Sequence, residues 1–132
     1  MCLALSSSQT RSKIKEWIAE ADELLSKGDV VQACEKYYKA AEEAVKMLAV
    51  KLNMTDLLNK VKEQGEWDAT TLDKIVIIAS KILKDEKLVD RWNSALVLHT
   101  TQLNLEPLKE YAQDVSSLVK LADTLKDKRM DS

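Results

Sequence analysis

Gly28, Gly65 and Pro107 are the only glycines and the only proline in a chain of 132 residues. A β-sandwich or barrel turns its chain every ~8–12 residues and draws on those residue types at the corners. Three such residues cannot serve that many turns, so the chain reads as a few long helices joined by short connections. Apolar material is ample, with 45% hydrophobic and 32% charged residues, the balance of a folded domain. A single domain of this length hides roughly two-thirds of its unfolded surface, so it needs no disulfides or metal to hold a core.

The periodicity predicts an all-α fold, a compact antiparallel helical bundle of about five long helices and one short one. Residues 1–9 read as a flexible N-terminus, 10–126 as the single helical-bundle domain and 127–132 as a flexible C-terminal tail. A first helix over 11–27 carries Ile14, Trp17, Ile18, Ala21, Leu24 and Leu25 on one face. Gly28 supplies its left-handed stop, and Asp29 caps the next helix. That helix, 30–52, has the stripe Val30, Cys34, Tyr37, Ala41, Ala44, Leu48 and Leu52, whose alanines suit a tight hairpin with the first. Its pairs Glu35–Lys39 and Glu42–Lys46 read as solvated surface.

Thr55 is expected to cap a short helix over 56–63, ended by Gly65. Thr70 or Thr71 starts the next, in which Leu72, Ile75, Val76, Ile78, Ala79, Ile82 and Leu83 cover most of the circumference. A helix apolar that far round is central in the core or lies at a subunit contact. A fourth long segment, 86–104, aligns Leu88, Trp92, Ala95, His99 and Leu103, and Pro107 opens the last helix.

A formal charge of −2 argues against a protein that grips nucleic acid through its phosphates. Cys2 and Cys34 make no disulfide framework, and the apolar run Met1–Leu5 is too short for a signal-peptide core. The densest apolar stretch, 75–79, falls well short of the ~18–20 residues of a membrane span. The expectation is a cytoplasmic protein with no membrane segment.

His99 is the one histidine, and Arg91 precedes it on the same helix. An imidazole as general acid/base and a guanidinium beside a scissile phosphate would suffice for metal-independent RNA cleavage. Eight residues of helix set the two about 80° apart and roughly 12 Å along the axis, too far to share one phosphate within a chain. His99 lies nearly in line with Trp92, which predicts a packed imidazole hydrogen-bonded to a carbonyl or hydroxyl. Tyr37, Tyr38 and Trp92 are candidates for stacking on a nucleotide base, or else core aromatics. Two cysteines and one histidine do not reach four metal ligands, and no phosphate loop, G-x-S-x-G or C-x-x-C is present, so neither metal nor cofactor is expected.

Trp17, Ala21, Leu24, Gly28, Ala33, Tyr37 and Ala40 have the spacings of one tetratricopeptide hairpin, but a shift by that repeat's ~34 residues meets nothing similar. A broader resemblance runs through Lys27-Gly28-Asp29-Val30-Val31-Gln32-Ala33-Cys34-Glu35-Lys36-Tyr37-Tyr38-Lys39-Ala40-Ala41-Glu42-Glu43-Ala44-Val45-Lys46 and Trp92-Asn93-Ser94-Ala95-Leu96-Val97-Leu98-His99. These stretches resemble the archaeal PaREP family of small helical proteins, often grouped with the HEPN superfamily. The resemblance implies a HEPN-like bundle, commonly dimeric, without a settled activity. Relatives that cleave RNA carry R-x(4–6)-H, whereas seven residues separate Arg91 and His99 here. Other relatives serve as the helical partner of a nucleotidyltransferase-like subunit.

The reading that follows is a non-enzymatic helical interaction module, a homodimer that also docks a partner protein. The alternative is a degenerate HEPN-type ribonuclease or nucleotide-binding bundle using Arg91 and His99.

Overall fold

The computed structural model describes residues 7–100 and 105–125, which form six helices and, among the described residues, no strand. They are α1 (Ser7–Ser26), α2 (Val30–Lys51), α3 (Thr55–Gln64), α4 (Ala69–Leu83), α5 (Lys87–Thr100) and α6 (Leu105–Thr124). The expected reach of the fifth segment to 104, Leu103 with it, lies outside the described residues, as do Cys2 and the C-terminal tail.

α2 is the axis of the bundle, touching each of the other five helices. Its alanines explain how so many neighbours fit around one rod. Ala33, Ala40, Ala41, Ala44 and Ala49 are fully buried, and a methyl side chain lets an adjoining backbone come close. α1 folds back on α2 through a turn built at Gly28, whose φ of 83° is left-handed and free of strain only for glycine. Asp29 Oδ1 then accepts from the Gln32 amide at 3.2 Å, which is the expected cap of α2. The hairpin is also cross-linked from inside. Tyr37, 1% exposed, donates its hydroxyl to Asp22 Oδ1 at 2.6 Å. Burial first, then the Asp22 carboxylate, push the Tyr37 phenol well above its ordinary pKa.

Three helix starts differ from expectation. α1 begins at Ser7 and not at 11, so residues 7–9, read from the sequence as part of a flexible N-terminus, are its first turn. Thr55 does not cap α3 but is its first residue, and Met54 occupies the cap without a side-chain hydrogen bond. α4 starts before Thr70, because Asp68 Oδ1 accepts from the Thr71 amide at 2.9 Å. A carboxylate outcompetes a hydroxyl for this position, and hydrogen bonding by Thr71 holds the Asp68 carboxyl below the usual carboxylate range. Gly65 ends α3 in the left-handed conformation, as expected, and Lys84 ends α4 with φ 55°.

Helices α5 and α6 pack on each other and on α2, joined by Ser94 donating to Asp114 Oδ2 at 2.6 Å. Leu108, Val115, Leu118 and Ala122 line the buried face of α6. Pro107 falls within its first turn, where a missing N–H leaves no acceptor unpaired. Lys51, buried at the last residue of α2, donates Nζ to the carbonyls of Ala122 at 2.6 Å and Asp123 at 3.1 Å. An ammonium is well placed there, at the negative end of α6.

Candidate functional site

Four of the residues singled out above lie on α5 and the facing side of α2, and the structure separates them into two groups. Arg91 turns to the start of α5, with Nη1 3.6 Å from Asp85 Oδ2. His99, two turns further along the same helix, stacks on Tyr38 with ring centroids 4.0 Å apart and planes at 14°. The helix is continuous between them, so the ~12 Å of axial separation stands and one chain does not bring guanidinium and imidazole together.

The position of His99 corrects the expectation of a packed ring. It is exposed, and among the described residues its ring makes no hydrogen bond. Alignment with Trp92 was a misleading guide to depth: Leu88, Trp92 and Ala95 on the same face are buried, while His99 falls in the last turn of α5, where its ring contact among the described residues is Tyr38.

Beneath His99 the polar and aromatic groups form a layer. Tyr38 is half-buried and lies 5.9 Å from Trp92, their planes inclined at 31°. Trp92, 2% exposed, donates Nε1 to Asp73 Oδ1 of α4 at 2.9 Å. Burial, reinforced by the Glu42 carboxylate one turn along, raises the Tyr38 pKa to about 12. Next to it the acidic and basic residues of α2 depart from a plain solvated face. Lys46 Nζ is 2.6 Å from Glu43 and 3.4 Å from Glu42, and it lies 5.6 Å from the centre of the Trp67 ring. Desolvation opposes the charge on Lys46, but the two carboxylates outweigh it and raise the pKa. Lys39 lies over the ring of Trp17 at 5.6 Å.

The arrangement presents one accessible imidazole on an aromatic support, with α5 and α2 fixing its orientation. Chemically it offers a flat π-face and a titratable ring, and among the described residues no ion pair joins that ring to complete acid/base catalysis. Tyr37 takes no part, since its hydroxyl is spent on Asp22 inside the α1–α2 hairpin. Asp73 and Asp22 had no signal in the sequence, because each meets its aromatic partner from a different helix. Among the described residues no group of His, Cys, Asp and Glu is arranged to hold a metal ion, and no helix is long and apolar enough to cross a membrane.

A second surface lies on α4. Its inner side, Leu72, Ile75, Val76 and Ala79, is buried against α2 and α5. Its outer side exposes Ile77 at 46%, Ile78 at 38% and Ile82 at 41%.

Solved structures resemble this chain. A crystal structure of a Sulfolobus solfataricus protein is 39% identical and superposes with a TM-score of 0.77, over 83% of this chain and 93% of that one. A solution structure of the same structural-genomics target gives 41% identity and a TM-score of 0.69, over 83% and 88%. No curated protein matches. The family model described as the archaeal PaREP1/PaREP8 family matches residues 9–125, and the chain belongs to that family.

Proposed function

We propose that this protein is a non-enzymatic, HEPN-like helical module that pairs with a second copy of itself through the outer face of α4 and holds a partner protein. One observation carries the reading: Ile78 and Ile82, one turn apart on α4, are exposed together beside its buried side, and Ile77 is exposed about 100° further round the helix. Exposed apolar surface of this kind is what an isologous contact covers, each copy presenting the same patch to the other. The bundle resemblance adds support, since HEPN-like bundles commonly pair. A nucleotidyltransferase-like subunit is the partner class that the resemblance suggests. The buried free thiol of Cys34, its pKa raised by desolvation, suits a cytoplasmic setting.

Sedimentation equilibrium tests the pairing. The wild-type chain is expected to be dimeric at micromolar concentration, and the double variant Ile78→Glu/Ile82→Glu monomeric with helicity retained. A monomeric wild-type chain ends the self-association reading.

The accessible His99 ring favours a second reading, a nucleotide- or RNA-directed site on the Tyr38 platform, completed by Arg91 of another copy. His99→Ala should then abolish RNA cleavage by the purified protein. Equal cleavage by both proteins, or none by either, dismisses the ribonuclease. Unchanged Trp fluorescence on adding nucleoside mono- and triphosphates dismisses base stacking.

A further inference from the structure

α1 and α6 both lie on α2 but touch each other only sparingly, and between them is a cavity of about 340 Å³. Its floor is apolar, formed by Ile14 and Ile18 of α1, Met47 of α2 and Val119 of α6. Ile14 and Met47 belong to the buried core, so the cavity reaches inward to the axis helix. The volume is near the lower end of ligand pockets, roughly 300–1,000 Å³. That leaves space for one slender chain and excludes a docked helix.

The walls carry charge of both signs, but the two carboxylates are already engaged. Asp123 pairs with Arg11, and Asp22 accepts the hydroxyl of Tyr37. Lys15 of α1 and Lys120 of α6 line the same cavity, are exposed, and have no ion-pair partner among the described residues. An apolar floor below two uncommitted ammonium groups is complementary to one chemical class, an amphiphile with an anionic head.

We propose that this cavity is a binding site for a free medium-chain carboxylate. The hydrocarbon lies against Ile14, Ile18, Met47 and Val119, and the carboxylate is held between Lys15 and Lys120. Burying the chain supplies the driving force, while the lysines select the sign of the head group. The site is on the side of α2 formed by α1 and α6 and does not depend on pairing through α4.

Decanoate titrated into the full chain, followed by the ε-methyl resonances of its methionines, tests the assignment. A saturable shift of Met47 is expected, with Met54 unmoved as the internal reference. Decylammonium should leave Met47 unchanged. Val119→Trp fills the cavity and should abolish the decanoate shift. Lys15→Glu/Lys120→Glu, altering only exposed side chains, should weaken binding at least about tenfold. The proposal is overturned if decylammonium matches decanoate, if the Val119→Trp variant still responds, or if the wild-type chain does not respond at millimolar decanoate. A response seen only after deletion of residues 1–6 would overturn it too, making the chain's own N-terminus the occupant.

Discussion

Tyr38 shows how one side chain takes its chemistry from three helices. It arises on α2, and it lies against Trp92 and His99 of α5, with Asp73 of α4 tethering the indole. Burial and the nearby Glu42 carboxylate raise its pKa from 10.0 to about 12, so the folded chain binds that phenolic proton more tightly than the unfolded chain. The corresponding stability is complete below the unfolded pKa and is lost as pH rises from 10 toward about 12. Chemical denaturation across that range should show wild-type stability falling more steeply than that of Tyr38→Phe. Parallel curves would mean that the ring is solvated. Residue type and spacing marked Tyr37, Tyr38 and Trp92 as stacking candidates and Arg91 with His99 as a separate pair, and it is the structure that sets Tyr38, Trp92 and His99 together. Exposure could not be read the same way, because it depends on what faces each side chain.

At the scale of elements, α2 was the most legible. Its alanine-bearing stripe pointed to a tight hairpin with α1, and the structure adds four further neighbours to that one. Such close contact is sensitive to added volume. Ala44→Leu, at a fully buried seam position, should cost about 1–3 kcal/mol in urea unfolding. An effect near zero would mean that α2 has room the packing does not show. Helix starts were less legible, since several polar residues competed for each cap. At α4 Asp68 prevails over Thr70 and Thr71. Its stabilising hydrogen bond is present above the ordinary carboxylate pKa and is lost as pH falls through the lowered value. Asp68→Ala should therefore reduce hydrogen-exchange protection at the Thr71 amide, while α6 amides keep theirs.

For the whole molecule, the uneven packing of α4 makes the main functional prediction. If two copies cover Ile77, Ile78 and Ile82, the midpoint of thermal unfolding must rise with protein concentration, because dissociation accompanies unfolding. The Ile78→Glu/Ile82→Glu variant should lose that dependence. A concentration-independent midpoint in the wild-type chain argues for a monomer whose apolar face is left to another partner.

Helical class, the Gly28 and Gly65 stops, the Asp29 cap and the near-continuous apolar girth of α4 all follow from neighbours within one or two turns of chain. They are local, so spacing along the sequence was enough to reveal them. Whether His99 is inside or outside, which face of α4 is uncovered, where Lys51 finds its acceptors and how α1 and α6 part over Met47 are matters of contact between helices distant in sequence. Periodicity tells which side chains share a face, but only the packing of one helix against another tells what that face meets.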